Sequence, residues 1–373
     1  MRRLLLLVGA LVFVDTMFFA ALTPLLPHYA DRYDLSKAGA GVLAAAYPAG
    51  VLLGAIPGGL VSVRIGVKPT VVAGVTLMAA TTIFFGFADS VAVLEGARFA
   101  QGLASALTWS AGQAWLVAAS PPDRRGEMIG SALGAAIAGA LFGPVLGGIA
   151  SVAGAGITFS AVGVLALGLG AWALATEAPP PGHAQSLRHL VEALGSRRIQ
   201  AGIWLVILPG LLFGTLGVLV PLRLSQLGFG SVAIGAVFLI GAAFEAVAAP
   251  AIGRFSDRRG RRLPIVWALG ASAVLTAVLP WPPSGWLLAL VVVLAAIGFG
   301  IFWSPAMSLL SNGAERIGLD YSLAFALANL AWAPGQAIGA AGGGALARAT
   351  TDAVPYLALC AACLLTLAAV RRA

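Results

Sequence analysis

Long apolar runs with few charges constrain this chain more than any other feature of its sequence. Only 10% of its 373 residues are charged and 60% are apolar, which excludes an ordinary soluble domain and a disordered chain. A helix of about 20 apolar residues crosses a bilayer core, and these runs lack the short alternation of a β-barrel. We therefore predict an all-α membrane protein with twelve transmembrane helices. The predicted spans are 4–28, 38–62, 69–88, 92–119, 128–150, 154–176, 200–222, 231–252, 263–280, 286–311, 321–346 and 353–370.

The placement of Lys and Arg predicts the orientation of these helices. If the N-terminus is cytoplasmic, 17 of the 22 basic residues fall on the cytoplasmic side, four fall on the other side, and Arg98 lies within a span. Cytoplasmic loops carry such an excess. We expect a multi-pass inner-membrane protein with both termini in the cytoplasm, and the net charge of +8 then implies no nucleic acid. Arg2 and Arg3 resemble the start of a signal peptide, but the length of the run favours a first, uncleaved helix.

The longest polar stretch, residues 177–199, divides six predicted helices from six. It opens with Pro179-Pro180-Pro181-Gly182, which stops a helix. Its apolar residues then recur at helical spacing near arginines, so it is either a short amphipathic helix on the cytoplasmic membrane face or a linker. The predicted domains are an N-terminal six-helix bundle (1–176), this cytoplasmic segment (177–199) and a C-terminal six-helix bundle (200–373).

An internal repeat of 194 residues relates the two halves. Single coincidences carry little weight in a chain with 48 glycines, but the joint match of one loop in each half does. Two repeated six-helix halves around a central cavity are an architecture of secondary transporters. The matched positions are Pro27 with Pro221, Gly41 with Gly235, Gly59 with Gly253, Arg64 with Arg258, Gly66 with Gly260, and Lys68 with Arg262.

Four motifs stand out at defined places along the chain. Predicted helix one carries Asp15-Thr-Met followed by Pro24-x-x-Pro27, and predicted helix four carries Arg98-Phe-Ala-Gln101-Gly102. Predicted helix five carries Gly130, Gly139, Gly143, Pro144, Gly147 and Gly148. The loop after predicted helix eight carries Gly253, Asp257, Arg258, Gly260, Arg261 and Arg262. Its first-half copy keeps Gly59, Arg64, Gly66 and Lys68, with Val63 in place of the acid.

On these motifs the whole chain resembles the major facilitator superfamily. Within it, the likeness is to the twelve-helix drug:proton antiporters and their vesicular amine transporter relatives. The helix-five pattern is similar to the antiporter motif at every position, and the loop pattern is similar to the superfamily signature. The resemblance implies secondary active transport by two six-helix bundles in a bacterial membrane. It also implies that the motif around Asp257 helps to close a cytoplasmic gate.

Asp15 and Arg98 are ionisable residues inside predicted spans. Asp15 lies about 17 Å into predicted helix one, near the bilayer midplane, and Arg98 lies within about one turn of that depth in antiparallel helix four, so the two could pair. An ionised carboxylate at this depth is costly, and ionisable groups there are functional by default, so Asp15 is a candidate proton-binding group. A static buried salt bridge is the alternative.

Polar side chains follow the helical period of predicted helix four. Gln101, Ser105 and Thr108 continue the line of Arg98 and would face an aqueous cavity rather than lipid. Hydrogen bonding between helices explains them equally well. Trp109 could stack on a cationic or aromatic substrate, although packing is the commoner role of tryptophan.

Glu245 is an acid about 12 Å inside predicted helix eight, in a half whose predicted spans contain no basic residue. It is a candidate second proton or cation site, or else a neutral group hydrogen-bonded to the backbone. With Asp15 it would place an acid on each side of the predicted cavity, which favours cationic amphiphilic substrates.

Rows of small residues predict close helix packing. Gly139, Gly143 and Gly147 recur every four residues, and Pro144 removes a helical hydrogen bond. We expect this row and a second one in predicted helix eleven to be seams along which the two halves rock. The second row is Gly335, Gly339 and Gly343.

The favoured function is proton-coupled efflux of small cationic or amphiphilic compounds by alternating access, by a monomer in the lipid bilayer. The alternative is an importer or a sugar or metabolite efflux permease of the same fold, whose cavity should hold more Asn, Gln and Asp. A non-transporting membrane enzyme or sensor is disfavoured because the chain lacks a recognisable catalytic motif. No cofactor or metal is expected, and Cys360 and Cys363 are interpreted as buried apolar thiols rather than a redox or zinc pair.

Overall fold

The structure is a computed structural model that describes residues 2–121, 124–180, 194–260, 262–302, 305–307, 309–310, 313 and 321–372. Within these ranges the chain forms twelve α-helices and no strand, which confirms the predicted fold class. The helices are α1 (Arg2–Arg32), α2 (Lys37–Ile65), α3 (Val67–Gly86), α4 (Val91–Ala118), α5 (Arg125–Ala153), α6 (Ala155–Leu174), α7 (Arg197–Gln226), α8 (Ser231–Arg259), α9 (Arg262–Val278), α10 (Gly285–Gly300), α11 (Tyr321–Ala349) and α12 (Ala353–Arg372).

Nine helices in the described ranges are long and apolar enough, by length and composition, to cross a membrane. The other three are α4, α9 and α11. Helix α9 has only 17 residues, whereas α4 and α11 interleave polar residues and glycine with apolar ones. A helix that is polar on one side is stable in a membrane protein only where that side is covered by other helices or borders water. The composition of α4 and α11 therefore places them inside the bundle.

Most predicted helix ends agree with the structure to within a few residues, and two differ more. Helix α8 continues to Arg259 instead of ending at 252, and α10 ends at Gly300 instead of 311. Arginines near a helix C-terminus interact favourably with its exposed carbonyl groups, which explains the extension of α8. Gly298 and Gly300 weaken α10 at its end because glycine is a poor helix former.

Single glycines replace the signature loops that the sequence predicts. The chain turns from α2 into α3 at Gly66 (φ 97°, ψ 159°), and it leaves α8 at Gly260 (φ 83°, ψ 159°). This backbone region is essentially restricted to glycine. The two turns are 194 residues apart, and Gly59 and Arg64 lie inside α2 rather than in a loop. The prediction that these motifs form loops is therefore wrong, because the helices extend through them up to the glycine.

The glycine rows join helices of the same half. Gly139, Gly143 and Gly147 on α5 lie against the backbone of α1 so closely that a Cβ atom would collide with it. Gly335 and Gly339 on α11 lie equally close to α7. The expected seam between the halves is therefore in the wrong place: both rows are tight contacts within a half, because the glycine sides of α5 and α11 face α1 and α7.

Other residues on α2, α5, α8 and α11 make close backbone contacts between the two halves. Gly41 on α2 packs against the backbone at Ala340 on α11, and Gly235 on α8 packs against the backbone at Pro144 on α5. Gly41 and Gly235 are one of the pairs matched by the 194-residue shift. At the same end of the bundle, which we call the Lys37 end, Lys37 forms an ion pair with Asp352 at the start of α12. The halves are therefore in contact at the Lys37 end.

The connection between the halves is described only in part. Helix α6 ends at Leu174 and α7 begins at Arg197. The amphipathic helix predicted around residues 187–194 lies almost entirely outside the described residues, which leave out 181–193.

Candidate functional site

The Asp15 carboxylate lies at the middle of α1 and is enclosed by the N-terminal half. It is 3% exposed and accepts three hydrogen bonds. The Tyr47 hydroxyl donates to Oδ1 at 2.8 Å, while the Ser105 hydroxyl and the Trp109 indole N–H donate to Oδ2 at 2.8 and 2.6 Å. These donors come from α2 and α4. A buried carboxylate needs such donors because it has lost its hydration.

Arg98 on α4 is 1% exposed and is bonded to uncharged partners. Its guanidinium donates to the carbonyl oxygens of Phe18 and Phe19 at 3.3 and 3.1 Å, and to Gln101 Oε1 at 3.3 Å. Both carbonyls belong to α1, so Arg98 fastens α4 to α1. The Arg98 Nε is buried and has no hydrogen-bond partner among the described residues.

Tyr47 links Asp15 to Arg98 in place of the direct pair that the depths suggested. Among the described residues, no ion pair within 4 Å joins Asp15 to Arg98. Instead, the Tyr47 hydroxyl binds the carboxylate, and the Arg98 guanidinium carbon lies 4.9 Å from the centre of the Tyr47 ring. A guanidinium over an aromatic face is an attractive contact. The two charges are therefore neighbours separated by one aromatic ring.

The remaining polar residues of the α4 stripe bond to other helices or to α4 itself. The Gln101 amide donates to the Thr81 carbonyl on α3 at 3.3 Å, and Thr108 bonds back to its own helix. The Trp109 indole N–H is used by Asp15. The stripe thus faces the interior of the N-terminal half, and hydrogen bonding between helices accounts for Gln101 and Ser105.

A small cavity of about 40 Å³ lies between the two halves. Arg98 borders it on the N-terminal side and Gln336 of α11 borders it on the other. The Gln336 Oε1 is buried without a hydrogen-bond partner in the part of the chain that the structure describes. Asp15 does not line this cavity, and borders a smaller space inside the N-terminal half. The full lining is Phe19, Leu22, Thr23, Leu26, Ala44, Arg98, Gly214, Gly217, Gln336 and Ala340.

An aromatic contact joins the halves beside this cavity. Phe19 on α1 packs between Tyr47 and Trp332, with ring centroids 4.9 and 5.4 Å away. Trp332 belongs to α11, one turn from Gln336. The sequence did not single out Phe19, Tyr47, Trp332 or Gln336. An aromatic residue or a glutamine inside an Ala- and Gly-rich run has no distinctive signal, and only the packing of α2 and α11 against α1 brings these side chains together.

Glu245 lies at the middle of α8, deeper than expected because α8 extends to Arg259. Its side chain lies against Gly300 at the end of α10, where a Cβ atom would collide with it. No hydrogen bond to its carboxyl group occurs among the described residues. Glu245 and Asp15 are thus in different halves, and Asp15 is buried whereas Glu245 is half-buried.

The signature residues are described only in part. Arg64 is exposed at the end of α2, and Arg262 donates to the carbonyl oxygens of Val370 and Arg371 at 3.1 and 2.9 Å, at the end of α12. Arg261 and the side chains of Asp257 and Arg258 lie outside the described residues. The prediction that Asp257 helps to close a gate therefore stays a prediction.

Candidate metal ligands do not cluster in the part of the chain that the structure describes: no group of three or more His, Cys, Asp or Glu could hold an ion there. Cys360 and Cys363 are free thiols on α12. Cys363 is buried and Cys360 is half-buried, which is compatible with their interpretation as packing residues.

Parts of the chain are similar to fungal proteins. It is 26% identical over 143 residues to the MFS-type transporter ppzB of Metarhizium rileyi (strain RCEF 4871), covering 37% of this chain and 30% of that protein. It is 28% identical over 144 residues to the uncharacterized MFS-type transporter C18.02 of Schizosaccharomyces pombe (strain 972 / ATCC 24843), covering 37% and 32%. The match thus spans about a third of the length of these relatives.

Two solved structures share the fold over nearly the full length. A point mutant of the nucleoside transporter NupG superposes with a TM-score of 0.75 at 14% identity, covering 99% of each chain. A bacterial homolog to the human lysosomal transporter Spinster, inward-facing and unoccupied, superposes with a TM-score of 0.75 at 16% identity, covering 98% of this chain and 95% of that one. At these identities the likeness shows the fold alone.

A comparison over most of the chain supports the family resemblance that the motifs indicated. The sequence model of the Major Facilitator Superfamily matches residues 8–340. This match shows, in agreement with the twelve helices of the described residues, that the chain belongs to the Major Facilitator Superfamily.

Proposed function

We propose that this chain is a secondary active transporter that exports small amphiphilic compounds in exchange for protons by alternating access. Membership of a transporter family supports transport of a small molecule across a membrane and supports a non-enzymatic role. The similarity of α5 to the antiporter motif supports exchange with protons. We also propose an inner-membrane location, cytoplasmic termini, a monomer, and the division at residues 177–199.

The observation that carries the proton-coupled part is the environment of Asp15. The carboxyl group is 3% exposed at the middle of α1, and its hydrogen-bond donors are the uncharged Tyr47, Ser105 and Trp109. Uncharged donors compensate the charge of a buried carboxylate only in part, so the balance between its ionised and protonated forms responds to the surroundings. Such a group can gain or lose a proton as the halves move.

Glu245 is the second proposed proton-binding residue. It also lies at the middle of its helix, and Gly300 leaves space for its side chain beside the end of α10. In contrast to Asp15, no described residue donates a hydrogen bond to it. We therefore assign it the secondary role in coupling.

Proton flux in proteoliposomes tests this function. With a pH-sensitive dye trapped inside, addition of ethidium or naphthaleneacetate to wild-type vesicles is expected to move protons against the direction of the added compound. Asp15→Asn should reduce this flux about tenfold or more, because an amide cannot exchange a proton. Asp89→Asn, which changes an exposed acid between α3 and α4, is the matched control and should keep wild-type flux. Protein-free vesicles correct for passive permeation.

Wild-type flux in Asp15→Asn would exclude Asp15 as the coupling residue, and Glu245→Gln then identifies whether Glu245 has that role. Movement of either probe without protons would favour the alternative of an uncoupled permease or an importer.

A further inference from the structure

The cavity between the halves presents a positive charge. Arg98 borders it, and no carboxylate lies within ion-pair distance of Arg98 among the described residues. Its described hydrogen-bond partners are two carbonyl groups and one amide, and its Nε has none. A buried charge whose hydrogen-bond partners are all neutral regains only part of the stabilisation that hydration gave it. An anionic group from outside the chain would compensate this charge further.

The two acids that suggested a cationic substrate do not face this cavity. Asp15 borders a separate space inside the N-terminal half and its oxygens are occupied by Tyr47, Ser105 and Trp109. Glu245 is packed against Gly300 inside the C-terminal half. The charge that a molecule between the halves meets first is therefore that of Arg98.

The opposite wall supplies an amide group. Gln336 borders the same cavity from α11, and its Oε1 is buried without a partner among the described residues. The Oε1 only accepts hydrogen bonds, so the group of Gln336 that can bind an acceptor in the cavity is the amide Nε2, which carries two donors. Arg98 and Gln336 belong to different halves, so a molecule that contacts both bridges the surfaces that must separate during transport.

Apart from Thr23, the rest of the wall is apolar or aromatic. Phe19, Leu22 and Leu26 line it from α1, and Trp332 packs on Phe19 from α11. A volume of about 40 Å³ holds a few atoms, which is room for a head group and not for a whole amphiphile. The aromatic contact between Phe19 and Trp332 lies next to this cavity, because Phe19 belongs to its lining.

We propose that Arg98 and Gln336 form a carboxylate-binding site between the halves, and that the transported compounds are small aromatic or amphiphilic carboxylates rather than cations. The planar guanidinium matches a carboxylate through two parallel hydrogen bonds, which is why arginine serves this purpose. The inference rests on the proposed transport function, and it names the substrate class of the same central site.

Binding of three matched probes to the purified full-length protein tests the proposal. Naphthaleneacetate, naphthaleneacetamide and naphthylethylammonium share one aromatic body and differ in head-group charge. Equilibrium dialysis against the same detergent corrects for partition into micelles. We expect wild type to bind the carboxylate about tenfold or more tightly than the other two. Binding of the ammonium probe with equal or higher affinity, or binding of none of the three, would overturn the proposal.

Variants assign the preference to the site. Arg98→Gln should weaken binding of naphthaleneacetate about tenfold or more and leave the amide probe unchanged. Arg348→Gln, at an exposed arginine near the end of α11, is the control and should bind as wild type does. If Arg98→Gln does not fold, Arg98→Lys keeps the buried charge but loses the planar fork, and should weaken binding by about threefold or more. Wild-type affinity in a folded Arg98 variant would overturn the proposal.

The two proposals fail separately. If wild-type vesicles show no proton flux but the purified protein still prefers the carboxylate probe, the binding site stands and the proton coupling is excluded. Proton flux that depends on Asp15, combined with a preference for the ammonium probe, would keep the coupling and remove the carboxylate site.

Discussion

Tyr47 is the residue on which the arrangement of charges in the N-terminal half depends. Its hydroxyl binds Asp15 and its ring lies beneath the Arg98 guanidinium, at 2.8 and 4.9 Å. A direct pair would neutralise both groups and hold the proton site and the charged cavity wall together. With the ring between them, Asp15 can change its protonation state while Arg98 keeps its bonds to α1. We therefore regard Tyr47 as a positioning residue for both proposed sites.

Removing the Tyr47 hydroxyl tests this role. Tyr47→Phe keeps the ring for Arg98 and deletes one bond to a buried carboxylate, which should cost about 1.5–3 kcal/mol of stability. Tyr33→Phe is the control, because that hydroxyl donates to the Ala88 carbonyl at 3.1 Å in a less buried place, and its loss should cost about 0.5–1.5 kcal/mol. The measurement is the unfolding midpoint in detergent. Equal midpoints for the two variants would contradict the assignment.

Close glycine contacts join several of the described helices. Rows on α5 and α11 bring those helices into backbone contact with α1 and α7, and the chain leaves α2 at Gly66 and α8 at Gly260. Close backbone approach is the usual basis of helix association in membranes, where no hydrophobic force drives helices together. Glycine thus serves the same two purposes in both halves, close helix contact and the turn that ends a helix.

Gly66→Ala tests whether the turn between α2 and α3 requires glycine. The backbone at Gly66 (φ 97°, ψ 159°) is costly for a residue with a Cβ atom, so the variant should lose about 1–3 kcal/mol of stability. Gly134→Ala is the matched control, since that glycine lies in the interior of α5 with open space around it; alanine there should be neutral or stabilising by about 0.5–1 kcal/mol. Thermal unfolding in detergent measures both. A Gly66→Ala protein as stable as wild type would show that the turn adapts.

The two halves of the molecule are in contact at the Lys37 end in this structure. Gly41 with Ala340 and Gly235 with Pro144 hold the helices together there, and the Lys37–Asp352 ion pair lies across the same boundary. That pair is partly exposed, with side chains 30% and 27% exposed, and exposed ion pairs contribute about 0–1 kcal/mol. The ion pair therefore contributes little to the contact between the halves, and we expect the backbone contacts to contribute more.

Cross-linking tests whether this end must open. In a background with Cys360→Ser and Cys363→Ala, a short thiol cross-linker across Lys37→Cys and Asp352→Cys should abolish proton-coupled transport, and reduction of a cleavable linker should restore it. The two single cysteine variants treated with the same reagent should retain about wild-type activity, because the ion pair itself contributes little. Unchanged transport in the cross-linked protein would show that the Lys37 end stays closed throughout the cycle.

The sequence by itself determined the number of helices, the repeat and the family. Those properties follow from composition and spacing: apolar runs of bilayer length, glycines at fixed intervals, and motifs read along one chain. Asp15 and Arg98 were found because any ionisable residue inside an apolar run is conspicuous. The predicted loops failed where helices extended through charged motifs to a single glycine, since helix ends are decided by local capping and packing.

Only the tertiary structure decided which side chains share a site. The sequence placed Asp15 and Glu245 about 17 and about 12 Å inside their helices and suggested an acid on each side of one cavity. Depth along a helix does not specify the direction in which a side chain points. Packing of α4 against α1 turns Asp15 inward and leaves Arg98 at the boundary, and packing of α11 against α2 brings Gln336 and Trp332 opposite. We infer the charge of the proposed substrate from the way these helices face one another. The periodicity within a single helix does not specify this orientation.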